Sequence, residues 1–430
     1  MKYGDITKNV ITTLKGLNVR LLRADSIIFN PFRVAKTRSF FPELYSGLFI
    51  FNHFVVRKIA KSTTLPFRGR GRRPQTRNTI HYTRKKMRFI IIITLSIGAL
   101  FPLHAQRCPC TKNLDFAVSK MEKNYAGFRD KVTDLSRSSY QAHTDSLRAK
   151  AAGIQSDTAC MRLCLKWIRW FKDNHISMRP YGASQMLRTT TPAFAFSVLD
   201  SQTLLLTLPS MSNDYDALVD SMLQANTQAL NSKPYLIVDC RNNGGGSDQT
   251  WAPLKPFLYT QPVVTDGRQY WASEENAAFL LQMSKREDTD KKTKKYLKWV
   301  AAEMKKRPGA FVGTMNARRD RPSAILPNPE KVIVLVNKYS ASSTENMVLW
   351  AKQSKKVTIM GRQTAGVADY GNAAVSVAPC RDWELWIPIM RSNRVADGRG
   401  IDNTGIAPDV VLEENEPDWI ARAKEYLQRR

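Results

Sequence analysis

Histidine is scarce in this sequence of 430 residues, which contains five in all. Only His143 and His175 lie beyond residue 106, so a reaction that needs an imidazole base there has two candidates. His143 lies in a polar stretch that is typical of a helix surface. His175 lies between an apolar helical pattern and a short strand pattern, where loops commonly present catalytic groups. A lone histidine is more often structural than catalytic, so His175 needs a partner elsewhere in the chain.

Long hydrophobic runs are also absent. The longest mostly apolar stretch, residues 89–101, is shorter than the roughly 20 residues that a membrane-spanning helix needs, and Pro102 follows it. Its basic start and its small closing residue are typical of a secretory signal peptide over residues 87–105. We therefore expect translation to begin at Met87, residues 1–86 to be a disordered upstream extension, and the protein to be periplasmic or secreted.

Acidic residues are few, with 37 Asp or Glu against 66 Lys or Arg. Much of the imbalance lies in residues 1–86, which hold 19 basic and 3 acidic residues. If retained, that segment would be an arm for nucleic acid or an anionic membrane. From residue 106 onward, 46 basic residues face 34 acidic ones, a balance more typical of a solubility feature. We expect no nucleic-acid partner and no stable membrane span.

Cysteine is limited to six residues, all beyond the predicted cleavage site. In an exported protein, Cys108 and Cys110 are predicted to form disulfides with Cys160 and Cys164, which would tie the new N-terminus to a helix. The last two are expected to be small buried apolar residues. The spacing does not match the common zinc patterns, so we expect no metal. The six are Cys108, Cys110, Cys160, Cys164, Cys240 and Cys380.

Apolar periodicity predicts an α/β fold with parallel strands. Residues 106–187 read as a small helical subdomain that carries His175, and residues 188–430 as the larger domain. The charged residues 271–307 are predicted to be a solvated helical insertion, with a lid over a cleft as the functional alternative. Strands are predicted at 194–199, 204–208, 234–240, 331–336, 356–361 and 383–388.

A serine-rich turn separates the strand at 331–336 from an apolar helical pattern. A serine at such a junction presents its hydroxyl at the sheet edge, beside helix amides that favour developing negative charge. Ser342 and Glu345 also fit a capping box, and the two roles are compatible. Three consecutive glycines, 244–246, follow the strand at 234–240 and allow outward-pointing amides that would hold an oxyanion with Ser343. A simple tight turn is the alternative. No Gly-Lys-Ser/Thr follows, which disfavours a phosphate-binding loop.

Four motifs in order resemble the C-terminal processing (tail-specific) peptidase family. They are Asp239–Gly246, Val334–Glu345, Gly361–Gly366 and Ile401–Asp409. The resemblance implies a crotonase-like fold of ββα repeats and a serine peptidase that acts on peptides or unfolded proteins without cofactor or metal. It also implies Ser342 as the nucleophile, with the amides of Ser343 and Gly245 as the oxyanion hole and Gly244 as the second choice for the glycine.

The family has two catalytic arrangements. In the first, a lysine activates the serine, and the corresponding position in this chain is Val367. The chain is therefore similar to the tricorn-core branch, which implies His175 as the base and Asp402 as the acid. It departs from that branch in carrying Asn174 in place of a serine and an Asp in place of a Glu. Only about 28 residues separate His175 from the strand near Leu204, too few for a PDZ domain. A non-catalytic protein that binds hydrophobic or peptide ligands, as related retinoid-binding modules do, is the alternative.

Overall fold

The computed structural model describes residues 108–182, 193–287, 289–314, 317–322, 324–380 and 383–429, all of which lie in one compact unit. The predicted upstream extension at 1–86 and the predicted signal peptide at 87–105 lie outside the described residues. Within those ranges, no helix combines the length and the hydrophobicity that crossing a bilayer demands.

The helices fall into an N-terminal group and a group that packs on the sheets. The first group forms one apolar core with a long strand near the C-terminus, through Trp167, Phe171, Leu385 and Ile387. The helices are α1 Cys110–Asn124, α2 Phe128–Lys131, α3 Arg137–Ala151, α4 Asp157–Ile168, α5 Asp216–Ala225, α6 Thr227–Ser232, α7 Asp248–Trp251, α8 Lys255–Leu258, α9 Glu274–Met283, α10 Lys291–Lys306, α11 Ser343–Ala351, α12 Asn393–Ala396 and α13 Trp419–Gln428.

The strands form two sheets and a short ribbon. The six-stranded sheet has the order β13-β10-β9-β4-β3-β2, and its pairs are parallel except β2 with β3. The second sheet, antiparallel, has the order β1-β12-β6-β7 with β11 also on β12, and β5 pairs with β8. The strands are β1 Ser177–Pro180, β2 Ala195–Val198, β3 Thr203–Thr207, β4 Tyr235–Asp239, β5 Val263–Thr265, β6 Arg268–Trp271, β7 Phe311–Thr314, β8 Arg318–Asp320, β9 Lys331–Val336, β10 Val357–Gly361, β11 Tyr370–Val377, β12 Trp383–Ser392 and β13 Val410–Val411.

The parallel strands of the first sheet bring three of the sequence motifs to one edge. Strands β4, β9 and β10 are neighbours, and they lead respectively into the glycine turn at 244–246, the serine turn and the loop at 362–366. Residues 332–336 of β9 are all buried, which explains their continuous apolar run. Because parallel strands end at the same edge, these loops meet there. The predicted mixed α/β architecture is confirmed.

The charged insertion predicted at 271–307 is largely helical and has a buried face. Helices α9 and α10 pack with β6 and β7 in an apolar core that includes Val300 and Met304. Asp290 caps α10 by accepting hydrogen bonds from the amides of Lys292 at 2.9 Å and Thr293 at 3.0 Å. The lysines therefore line the outer face of an element that is anchored to the second sheet.

The disulfides differ from the pairing that the sequence predicted. Cys110 bonds to Cys160, one of the pairings that the prediction allowed, whereas Cys108 bonds to Cys380 and not to either cysteine of the second pair. The prediction of Cys380 as a small buried apolar residue is therefore wrong. Cys164 and Cys240 are free and buried. The sulfur of Cys164 lies within 4.8 Å of those of Cys110 and Cys160, but these two are already joined.

The free thiol of Cys164 is expected to resist alkylation in the folded protein, because burial raises its pKa to about 12. At pH 8 iodoacetamide should leave Cys164 unmodified in native protein and label it rapidly in guanidinium. Peptide mapping by mass spectrometry without reduction checks both the label and the two disulfides. Rapid labelling of native Cys164, or a peptide joining Cys108 to Cys164, would show that the pairing above is wrong.

Candidate active site

Ser342 occupies a strained turn immediately before α11. Its backbone has φ 55° and ψ −114°, in the left-handed half of conformational space that residues other than glycine rarely adopt. Strain of this kind is found where a side chain is held in a functional position. Its Oγ lies 3.0 Å from Nε2 of His175, a residue 167 positions earlier in the chain. The structure thus brings together the nucleophile and the base that the sequence predicted.

His175 is held by the turn that leads from α4 into β1. The Asp173 carboxylate accepts a hydrogen bond from the His175 amide at 2.9 Å. Its other oxygen accepts one from the hydroxyl of Tyr125, the residue directly after α1, at 2.6 Å. Burial, and then the charge of Asp173, raise the pKa of Tyr125 well above its ordinary value, so Tyr125 stays a neutral donor. Asp173 and Tyr125 therefore fix the loop that presents the imidazole, a role the sequence did not indicate.

Asp402 is not joined to His175. Its carboxylate pairs with Lys131 of α2 and accepts a hydrogen bond from the side chain of Asn403 at 2.9 Å. Nδ1 of His175 is buried and has no hydrogen-bond partner among the described residues. The predicted contact between acid and base is therefore missing, because the ammonium of Lys131 holds the carboxylate.

The surroundings of Asp402 raise its pKa despite that cation. Burial raises the pKa of Asp402, Lys131 opposes the rise, and the charges of Asp173 and Asp369 add to it, with a net upward shift. The amide of Asp402 donates to the Asp369 carboxylate at 2.8 Å, and Asp369 in turn pairs with Arg394 at 3.0 Å. The loop that carries Asp402 is therefore anchored through its backbone, independently of the Lys131 contact.

Of the two amides predicted to form the oxyanion hole, that of Ser343 has no acceptor among the described residues and that of Gly245 has one. Ser343 is buried and begins α11, and its amide donates to no acceptor within the described part of the chain. The amide of Gly245 already donates to the side-chain oxygen of Asn243 at 2.9 Å, whereas that of Gly244 has no described acceptor. Gly245 serves instead by close approach, since a Cβ there would lie 2.8 Å from Cβ of Ser342.

Glu345 is a central residue of the site that the sequence identified only as a helix cap. Its side chain is fully buried and accepts five hydrogen bonds. They come from the Thr364 hydroxyl at 2.6 Å and from the amides of Gly366, Val367, Ala368 and Ser342 at 2.6, 2.9, 3.0 and 3.1 Å. This one carboxylate therefore fastens the 364–368 loop to the nucleophile turn. Its position three residues after the nucleophile was the available signal, and its other four partners are remote in sequence.

A second carboxylate, the partly exposed Asp248 on α7, supports α11 from the other side. It accepts hydrogen bonds from the Ser343 hydroxyl at 2.7 Å and from the side-chain Nδ2 of Asn346 at 3.1 Å, and it pairs with Arg268 at 2.6 Å. Burial by itself would raise the pKa of Asp248, but the cation and the donors outweigh it and the pKa is lowered. Asp248 therefore remains charged beside the nucleophile.

A cavity of about 330 Å³ opens directly over the serine turn. Its lining includes Ser342, Ser343, Gly246, Tyr370 and Asn372. It adjoins a larger cavity of about 790 Å³, and both volumes fall in the range of ligand sites. Val367, where relatives of the other arrangement carry a lysine, is buried and supplies no amine.

Comparison with known proteins places the chain among peptidases. A family model described as peptidase family S41 matches residues 202–412, a range that excludes His175. The crystal structure of a candidate peptidase from Parabacteroides merdae aligns with a TM-score of 0.51 at 18% identity, covering 75% of this chain and 98% of that one. Mature CPAF complexed with lactacystin aligns with a TM-score of 0.51 at 13% identity, covering 74% and 96%. At such identities the likeness concerns the fold. No curated protein sequence matches the chain.

Proposed function

The chain belongs to peptidase family S41 and is a serine-type peptidase, and we propose that it hydrolyses peptide bonds through Ser342 and His175. The observation that carries this proposal is the 3.0 Å contact between the Ser342 hydroxyl and Nε2 of His175. Hydrogen-bond reach between nucleophile and base is the first requirement for activating a serine. The same contact disfavours the alternative of a binding protein with a decayed site.

The proposed reaction proceeds through an acyl-enzyme. His175 Nε2 accepts the Ser342 proton as Oγ attacks the scissile carbonyl carbon, and the carbonyl oxygen gains the negative charge. The unengaged Ser343 amide and the N-terminus of α11 stabilise that charge, with the Gly244 amide as the proposed second donor. The protonated His175 then gives its proton to the leaving amine, and the ester is hydrolysed by water that His175 activates in the same way.

We propose that Asp402 orients His175 in the reacting enzyme. Its carboxylate would leave Lys131 and accept a hydrogen bond from the Nδ1–H group of His175. Its support is the buried Nδ1 without a partner and the upward-shifted pKa of Asp402, which indicates that Lys131 compensates the carboxylate incompletely. An acid in this position would fix the tautomer that presents Nε2 as the acceptor.

Asp402→Asn is expected to lower kcat by at least about tenfold with little change in KM, because the substitution affects orientation of the base and not substrate binding. The matched control is Asp134→Asn, at a fully exposed carboxylate whose nearest cation is 3.8 Å away. Steady-state kinetics of both variants and of the wild-type protein on one peptide measure the difference. Unchanged kcat in Asp402→Asn would remove Asp402 from the mechanism and leave a Ser342–His175 dyad.

Two broader expectations belong to the same proposal. The disulfides Cys108–Cys380 and Cys110–Cys160 suit an oxidising compartment, which supports export to the periplasm or beyond. The paired sheets and helices suit the crotonase-like ββα arrangement that the family resemblance implies. We also propose that the substrates are peptides or unfolded proteins.

Reduced and alkylated casein provides a generic unfolded substrate for testing the activity. Mass spectrometry of the digest should reveal new peptide termini with the purified wild-type protein and none with Ser342→Ala. An intact substrate with the wild-type protein, or equal cleavage by both proteins, would contradict the proposal.

A further inference from the structure

We propose that the larger cavity beside Ser342 binds an acidic side chain of the peptide substrate, with Arg318 as the cation that receives it. This inference rests on the peptidase function proposed above, and it names a substrate class for that site. The cavity is the one of about 790 Å³ that adjoins the smaller cavity over the serine turn.

The larger cavity is continuous with the space over the nucleophile. Six residues line both: Asp248, Gln249, Arg268, Asn346, Ala368 and Met390. A peptide whose scissile bond lies at Ser342 therefore extends into the larger cavity on one side. Because an extended chain advances about 3.3 Å per residue, a side chain one to three residues from the scissile bond reaches it.

Positive charge predominates on the wall of this cavity. Five basic side chains line it, whereas Asp248 and Asp266 are its only lining carboxylates among the described residues. The basic residues are Lys255, Arg268, Arg318, Arg394 and Arg399. Such an excess in a recess attracts anions more strongly than the same charges on a flat surface.

Four of the five cations are already paired with carboxylates, and Arg318 is the exception. Arg268 pairs with Asp248 at 2.6 Å, and Arg394 with Asp369 at 3.0 Å. Likewise, Arg399 pairs with Asp266 at 2.7 Å and Lys255 with Asp320 at 2.5 Å. Arg318 forms no ion pair with a carboxylate of the described residues. Its charge acts on Asp320, which is itself paired with Lys255. The four paired cations are already neutralised by carboxylates of the protein. The unpaired guanidinium of Arg318 is therefore the group that a substrate carboxylate would neutralise.

The backbone that carries Arg318 is fixed, which makes it a suitable receptor. Arg318 lies on β8 opposite Thr265 of β5, and the Thr265 hydroxyl donates to its carbonyl oxygen at 3.1 Å. The neighbouring wall is aromatic, with the ring centroids of Trp251 and Trp350 lying 5.1 and 5.8 Å from the Lys255 ammonium. Arg318 itself is exposed, and a guanidinium matches a carboxylate with two parallel hydrogen bonds.

Peptide binding to Ser342→Ala tests the inference without requiring turnover. The probes are fluorescent peptides blocked at both ends that differ only by Glu or Gln at one position, which is moved along the sequence. We expect at least one Glu peptide to bind about threefold more tightly than its Gln partner, because the latter lacks the charge-assisted hydrogen bond to the exposed guanidinium of Arg318. Adding Arg318→Gln should bring that ratio close to one. Adding Arg137→Gln, at an exposed arginine on α3, should leave it unchanged.

Three outcomes would overturn the inference: equal binding of Glu and Gln peptides at every position, a ratio that survives Arg318→Gln, or tighter binding only when the C-terminal carboxylate is left unblocked. Cleavage of the same peptides by the wild-type protein separates this inference from the proposed function. Cleavage without a Glu preference removes the acidic specificity alone. A Glu preference in binding without any cleavage supports the acidic site and contradicts the peptidase.

Discussion

Alanine at either Ser342 or His175 is expected to lower kcat/KM by at least about a thousandfold, and the double variant is expected to be no slower than either single one. The reason is that the two side chains act as one unit across a 3.0 Å contact. Without His175 the serine has no base, and without Ser342 the base has no proton to accept. What activity remains comes from substrate binding and the amide donors near Ser343. Kinetics of the three variants on a single fluorogenic peptide measure both the loss and its non-additivity.

The controls for this experiment use the same residue types elsewhere in the chain. His143→Ala removes the other histidine of the described region, on α3, and Ser139→Ala removes an exposed hydroxyl from the same helix. Both are expected to keep wild-type activity. If His175→Ala kept full activity, another group would have to act as the base. If the effects of the single variants multiplied in the double one, the two residues would act independently.

Glu345→Ala is expected to lower the free energy of unfolding by about 4 kcal/mol or more, the largest stability effect that we predict. It removes the acceptor of five hydrogen bonds and leaves buried amides at Gly366, Val367 and Ala368 without a partner. Each unsatisfied buried group costs about 1–3 kcal/mol. Glu345→Gln should fall between alanine and wild type, since its amide nitrogen would face donors where an oxygen now accepts.

Urea unfolding followed by fluorescence measures these differences. Glu414→Ala is the matched control, because that side chain is 65% exposed and contacts only Lys338, at 3.2 Å, among the described residues. Exposed pairs of this kind contribute less than about 1 kcal/mol. An unfolding midpoint of Glu345→Ala equal to that of wild type would show that the carboxylate does not hold the 364–368 loop.

The sequence was sufficient for the parts of the site that lie within motifs. The apolar run before the serine turn predicted a buried parallel strand, and β9 is one because its residues 332–336 are all buried. Ser342 and His175 were identified from residue type and from the order of the motifs. Their contact follows from β1 and β9 belonging to the same compact unit, which periodicity alone does not reveal.

Partner choice over long distances could not be predicted. Asp402 pairs with Lys131, 271 residues away, and Cys108 with Cys380, 272 residues away. In each case several partners of suitable chemistry exist, and the packing of α1 and α2 against β12 decides among them. The sequence could not identify Arg318 as an unpaired cation for the same reason, since only the fold shows which cations have carboxylate partners.

A fluorophosphonate probe tests the central claim most directly, because it reacts with a serine only when a neighbouring base activates the hydroxyl. Wild-type protein is incubated with the probe, digested, and the modified residue is located by mass spectrometry. We predict a single adduct on Ser342, with labelling that is strongly slowed in His175→Ala and unchanged in His143→Ala. Absence of label from Ser342, or equal labelling in His175→Ala, would contradict an imidazole-activated serine.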